Sequence, residues 1–155
     1  MPRQSDRTFL RASVGALSVL AMLSTPALAQ QPTIGSVKSV TGAAFIVRAG
    51  QDLPLALGQS IVEGDTVRTG PDSRVGVTFK DGTRLALGAN TELRVTSFAY
   101  APAEGRLGFV ARLARGVAAY VSGRIAELAP GTVKIETPAS VIGIRGTHLL
   151  IGVSQ

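Results

Sequence analysis

From Gly58 onward glycine returns every six residues, at positions 58, 64, 70, 76, 82 and 88. The stretches between are too short for helices and rich in β-branched and apolar residues: Ile61-Val62, Thr66-Val67, Val75, Val77-Thr78-Phe79, Leu85 and Leu87. Short runs of this kind, bounded by Gly, Asp and Pro, are strands joined by tight turns. Val75, Val77 and Phe79 alternate with Arg74, Gly76, Thr78 and Lys80. The same period of two returns at Leu93 and Val95 and at Val133 and Ile135. A period of two means one buried face and one wet face. The chain is therefore expected to be all-β: a compact β-roll or sandwich of short antiparallel strands joined by Gly/Asp turns, preceded by a signal peptide.

A hexapeptide β-helix shares the six-residue spacing, but it needs an aliphatic residue at a fixed phase. The residues before the glycines are Leu57, Glu63, Thr69, Val75, Asp81 and Leu87, and half are polar. Turns in a meandering sheet account better for the spacing. Asp81-Gly82, between Phe79-Lys80 and Thr83-Arg84-Leu85, reads as a two-residue hairpin with positive φ at both central positions. Gly64-Asp65, Thr69-Gly70-Pro71-Asp72 and Gly88-Ala89-Asn90 are further turns. Arg106 to Leu128 is ambiguous. Val110, Leu113, Val117 and Val121 suit a helix face, yet Gly108, Gly116 and Gly123 each cost a helix about 1 kcal/mol relative to alanine. Two strands broken at Gly116, 106–113 and 117–121, are preferred, with a helical turn over 124–128.

The amino-terminal residues have a different character. Arg3, Arg7 and Arg11 are followed by an apolar run from Ala12 to Leu23 and then Ala27-Leu28-Ala29. This is the secretory pattern, with cleavage expected after Ala29; twelve residues are too few to span a bilayer, which takes about 20. Residues 1–29 are read as a signal peptide and 30–155 as one domain. No later apolar run is long enough to cross a membrane. The expected location is periplasmic or secreted. With Arg3, Arg7, Arg11 and Asp6 removed, 16 basic and 10 acidic side chains become 13 and 9. That mild, scattered excess is no nucleic-acid footprint. Cysteine is absent, so no disulfide, thiol chemistry or cysteine-ligated metal is available.

The candidates for chemistry are few. His148 is the only histidine, and metal ligands come in threes and fours; it reads as a histidine on the wet side of a last strand, and no metal or cofactor is expected. Glu63, Asp72 and Asp81 form no calcium-loop pattern and read as turn residues. Arg74, Arg84, Arg94 and Arg112 are expected on one solvent face. Arg145, set in an apolar stretch, needs a carboxylate or several carbonyls; Asp65 and Asp81 are its expected partners, in a structural pin or else a partner contact. Gly146 beside it would allow a bulge or close approach. Leu149, Leu150, Ile151 and Val153 carry no charge and form a candidate partner-binding edge, open to strand addition by another protein or a second copy.

Four segments stand in a recognisable order: "VTGAAFIVRAG" at 40–50, "LALGQSIVEGDTVRTGPDSRVGVTFKDGTRLALGANTELRV" at 55–95, a strand pair around "RLARGVAAYV" at 112–121, and "VKIETPASVIGIRGTHLLIGV" at 133–153. Together they resemble the FecR domain family. The signature residues map to Gly64, Asp65, Thr69 and Gly70; to Asp81, Gly82 and Thr83; and to Thr137, Pro138, Arg145, Gly146 and Thr147. The resemblance implies an extracytoplasmic, β-rich sensing or interaction domain. Its founding members relay a signal from an outer-membrane receptor to a cytoplasmic sigma factor, and carry a cytoplasmic segment and a transmembrane helix ahead of the domain. A signal peptide stands in that place here, so the sigma-regulator role is not carried over. Family members continue past the R-G-T with further strands, whereas this sequence ends at Gln155, so its last strand is either a sheet edge or part of a longer chain.

The reading at this level is a non-enzymatic binding module of the bacterial envelope. It would act through protein or envelope-polymer contacts, without nucleic acid. One alternative is a sensory component of an envelope signalling system with a separate membrane partner. Another is a carbohydrate-active enzyme, which would need paired carboxylates facing one cleft.

Overall fold

The computed structural model describes residues 29–146 and 148–154. The expected leader, up to residue 28, and Thr147 lie outside the described residues. The elements are β1 (Thr33–Thr41), β2 (Ala44–Arg48), β3 (Gln51–Pro54), β4 (Ser60–Val62), β5 (Thr66–Thr69), β6 (Arg74–Phe79), β7 (Arg84–Leu87), β8 (Glu92–Ala101), β9 (Arg106–Val121), α1 (Arg124–Leu128), β10 (Val133–Glu136), β11 (Val141–Gly143) and β12 (His148–Val153). The fold is the all-β one expected, a sheet curled into a half-barrel. Every strand pair is antiparallel except β9 with β10. Among the described residues, no helix is long and apolar enough to cross a membrane.

β9 is the spine. Along one edge it pairs first with β8, over Arg106 to Arg115, and then with β7, over Ala118 to Val121. Along the other it pairs with β10, over Phe109 to Arg112, and with β12, over Gly116 to Val121. One limb of the sheet continues outward as β8-β5-β2-β3 and the other as β7-β6-β1-β4. Residues 29–64 are integral to both limbs, since β1 lies between β6 and β4 and β2 lies between β5 and β3.

The core lies in the concavity. The alternating residues Val75, Val77 and Phe79, Leu85 and Leu87, Leu93 and Val95, and Val133 and Ile135 are all buried. Phe79, Phe98, Phe109 and Tyr120 meet with ring centroids 5.0 to 6.3 Å apart. Aromatic contacts at these separations add about 1 kcal/mol each beyond the area they bury.

β9 corrects the expectation of two strands. It is continuous for 16 residues, with a bulge where the ladder to β8 skips Ala114 between Leu113 and Arg115, followed by Gly116 at φ +86°. Before the bulge Phe109, Ala111 and Leu113 face inward; after it Ala118 and Tyr120 do. An extra residue shifts the alternation by one without ending the strand. Thr91 crowds the position: its Cα would lie 2.5 Å from a Cβ added at Gly116. The helical turn over 124–128 is α1, at the expected residues.

The hairpin at Asp81-Gly82 is present but of another type. Gly82 N–H donates to Phe79 O at 3.0 Å and Phe79 N–H to Thr83 O at 2.8 Å. Gly82 has φ +85°, whereas Asp81 has no positive φ. This is a three-residue loop ending in a left-handed glycine, the next most common solution for joining twisted strands.

Candidate functional site

Two buried carboxylates fix the turns that frame the sheet. Asp65, 1% exposed, follows Gly64 (φ +90°) at the β4–β5 turn. Its carboxylate accepts from Arg48 Nε at 2.8 Å, from Arg48 Nη2 at 2.7 Å and from Val62 N–H at 2.8 Å. Arg48 Nη2 also donates to Ser60 O at 2.9 Å. The hydrogen bonds to Asp65 push the Arg48 guanidinium further above its already high range; burial opposes the effect and the carboxylate charge adds to it. An arginine does clasp this acidic turn, but it comes from β2. Arg145 is exposed in the link from β11 to β12 and has no ion pair among the described residues. The link is not a buried strand, so the charge of Arg145 remains in water and needs no carboxylate.

Asp81, 2% exposed, accepts from Thr83 Oγ1 at 2.7 Å, Thr83 N–H at 3.1 Å and Ile125 N–H at 3.3 Å. Its backbone carbonyl takes Arg124 N–H at 2.8 Å. The hairpin thus caps α1 from a distance, filling the role that Gly123, which has no side chain, leaves vacant. Thr69 Oγ1 donates to Gly88 O at 2.6 Å and accepts Thr91 N–H at 2.8 Å. Gly70 N–H donates to Ala43 O at 2.9 Å. Thr137 and Pro138 form the tip of the β10–β11 hairpin, where Thr137 Oγ1 accepts Ser140 N–H at 3.0 Å. Gly146 O accepts from Ser122 Oγ. The signature residues are therefore spread over separate turns and do not converge on one cleft.

The four arginines expected on one face divide between the limbs: Arg74 and Arg84 on β6 and β7, Arg94 and Arg112 facing each other across β8 and β9. Among the described residues, no group of three or more His, Asp or Glu could hold a metal ion.

Among the described residues the sheet has four edges: β3, β4, β11 and β12. Unpaired edges are templates for further strands, and folded chains blunt them with charge, proline or brevity. β3 carries Asp52, paired to Arg68 at 3.0 Å, and Pro54. β4 and β11 are three residues each. β12 has six residues, HLLIGV, without proline, aspartate, glutamate, lysine or arginine. It is the edge without such protection.

The direction of its backbone follows from β9. Val117 N–H donates to Thr91 Oγ1 at 3.0 Å, and Val117 O accepts Gly88 N–H at 2.9 Å, so both groups point toward the β7–β8 side. Alternation then turns Gly116, Ala118 and Tyr120 toward β12. Their register partners Val153, Ile151 and Leu149 face β9. His148, Leu150 and Gly152 consequently aim their N–H and C=O groups off the edge. The four candidate edge residues separate accordingly: Ile151 is buried, Leu149 and Val153 pack partly on the core, and Leu150 is 72% exposed. On the outer face Leu150 ends a row of small residues, Ser39, Gly76, Ala86 and Ala119, aligned across β1, β6, β7 and β9. Near the end of β12 a cleft of about 390 Å³ opens where β10 has left β9; Ala114, Arg115, Thr137, Pro138, Ser140 and Val153 line it.

The model of the FecR protein family matches residues 65–155, more than half of the sequence. The chain belongs to the FecR family. The match begins at the buried Asp65, so the opening "VTGAAFIVRAG" lies ahead of it. Membership carries the coarse reading of a non-enzymatic, envelope-associated interaction or sensory module. No curated protein matches. A solved structure described as a "Cell surface anchoring domain" is similar over 39% of this chain and 82% of its own, with 32% identity and a TM-score of 0.38.

Proposed function

We propose that this FecR-family chain is an exported interaction module of the bacterial envelope that binds by strand addition along β12. Binding would proceed through contact, without bond chemistry. The observation that carries the reading is the contrast between edges: three are short, or carry a proline and a charge, while β12 offers six uncharged residues. Strand addition draws affinity from main-chain hydrogen bonds and selectivity from alternate side chains. The outward groups of His148, Leu150 and Gly152 supply the former, and the exposed Leu150 supplies an apolar contact. Export rests on the basic, apolar, A-x-A start of the sequence. Family membership also supports a sensory role with a separate membrane partner; the same edge would then receive that partner.

The test is a photo-activated cross-linking residue at position 150 of the chain in living cells, with Leu57, 71% exposed and far from β12 in sequence, as the control position. An adduct at 150 that is absent at 57, and that disappears when Gly152→Pro removes one outward N–H, supports strand addition. No adduct, or one indifferent to that proline, refutes it.

A further inference from the structure

We infer that Arg94 and Arg112, opposed on the outer face of β8 and β9, form a binding site for a phosphate monoester. The site is independent of the β12 edge. The two residues are register partners in the antiparallel β8–β9 ladder. Val95 N–H donates to Asp65 O and Val95 O accepts Gly64 N–H, so alternation turns the backbone of Arg94 toward β9. Residues opposed in this way share one face, with Cβ atoms about 5 Å apart, and like charges so placed are destabilising. Both side chains are exposed, and neither has an ion pair among the described residues. Two acids of the same face are taken by other arginines: Asp52 by Arg68 at 3.0 Å, and Glu92 by Arg68 at 3.5 Å and Arg115 at 3.2 Å. Arg74 and Arg84, on the other limb, stand singly, opposite Thr41 and Thr78.

Two guanidiniums held side by side without a counter-charge define the ligand that would relieve them. Each is a planar fork of donors that keeps its charge at any ordinary pH. A phosphate monoester carries a charge of about −1.5 to −2 near neutral pH and presents three strong acceptor oxygens. It therefore matches both charges and offers oxygens to both forks, the arrangement in which charge-assisted hydrogen bonds are strongest. A carboxylate brings one charge and two oxygens, and a phosphodiester also brings one charge, so either would leave the pair half-neutralised. The neighbours across the sheet give the site a direction. Thr66, the register partner of Arg94 on β5, sets a hydroxyl on one side. Glu136, the register partner of Arg112 on β10, sets a carboxylate on the other and makes no ion pair with it. The monoester would seat over Arg94 and Arg112, on the Thr66 side. Exposed charges attract weakly, so a single monoester is expected to bind with a dissociation constant on the order of millimolar.

Methyl phosphate is the probe. Titrated into the chain, it should move the side-chain Nε–H resonances of Arg94 and Arg112 saturably and leave those of Arg74 and Arg84 nearly still. Dimethyl phosphate and acetate should bind at least about fivefold more weakly, since each brings a single charge. Arg112→Gln should abolish the saturable shift at Arg94. The same substitution should raise the melting temperature in phosphate-free buffer by about 1–3 °C, because it removes the repulsion; an arginine kept for stability would lower it. Glu136→Gln should tighten methyl phosphate at least about twofold, because a like charge beside the ligand is gone. Vesicles of phosphatidylcholine containing phosphatidic acid distinguish the sources: binding that methyl phosphate displaces assigns the monoester to a lipid headgroup, and titration without vesicle binding assigns it to a soluble molecule. The inference is overturned by the lack of a saturable shift, by equal shifts at all four arginines, or by a lower melting temperature in Arg112→Gln. Acetate binding as tightly as methyl phosphate also overturns it, and would point to an acidic protein segment instead.

Discussion

Arg48 on β2 reaches across the sheet to Asp65 and grips its carboxylate with two nitrogens, at 2.8 and 2.7 Å. The acid is buried and the base is partly open to water, with side-chain exposures of 1% and 36%. Loss of the arginine would leave a buried carboxylate with Val62 N–H as its remaining hydrogen-bond donor. Because water reaches one side of the pair, Arg48→Ala is expected to cost about 2 kcal/mol, less than the 3–5 typical of a fully buried pair. Arg145→Ala, at an exposed link, is expected to stay within about 0.5 kcal/mol. Urea unfolding of the two variants checks the ranking; a larger loss for Arg145→Ala would contradict it.

Gly123 and Gly82 differ in what restricts them. A Cβ at Gly123 would collide with Thr83 N and stand 2.6 Å from Asp81 O and 2.8 Å from Asp81 Oδ2. At Gly82 nothing lies within 4 Å, and the constraint is φ +85° alone. Gly123→Ala should cost about 3 kcal/mol through overpacking, and Gly82→Ala about 1 kcal/mol through backbone strain. Thermal unfolding of both variants gives the order.

Asp81→Ala removes three hydrogen bonds, among them the side-chain cap on Ile125 N–H, while the backbone bond from Arg124 N–H remains. The expected loss is about 2–3 kcal/mol, accompanied by faster amide exchange at Ile125 and Ala126. Slow exchange there in the variant would show that α1 is held without the side-chain cap.

Tyr120 makes stability sensitive to alkali. Its hydroxyl is buried without a hydrogen bond of good geometry. Burial raises its pKa above the ordinary 10.0; nearby Thr83 and Ser122 pull it down, and the charge of Asp81 adds to the rise. A raised folded-state pKa means that the neutral phenol stabilises the fold below the unfolded value, and that this stability is lost as pH climbs through the folded one. Stability should therefore fall above about pH 10. Tyr120→Phe should remove that contribution while changing little at neutral pH. Denaturant titrations at neutral and alkaline pH, with and without the substitution, check the sign.

The period-two residues placed the core correctly at Val75, Val77 and Phe79, at Leu93 and Val95, and at Val133 and Ile135, because alternation is a local property of a strand with one wet face. The Asp81 turn was visible for the same reason. The continuity of β9 was not, since a bulge and a strand end both interrupt the alternation; only the register of β7, β8 and β12 against the strand tells them apart. The clasp of Asp65 was half legible. An arginine was expected at Asp65, but the one that meets it, Arg48, lies 17 residues away and does so only once β2 and β5 are neighbours. Arg145 drew attention through its apolar flanks, which proved to be short strands on either side of an exposed link.

Backbone amide exchange at β12 tests the central claim most directly. In the dilute chain Leu149, Ile151 and Val153 should exchange slowly, because they are bonded to β9, while His148, Leu150 and Gly152 exchange fast. Saturation with the partner captured at position 150, whether a second copy or another protein, should slow those three amides together. Protection of all six residues in the dilute chain, or continued fast exchange at His148, Leu150 and Gly152 with the partner bound, would contradict the proposal that this edge is where the protein binds.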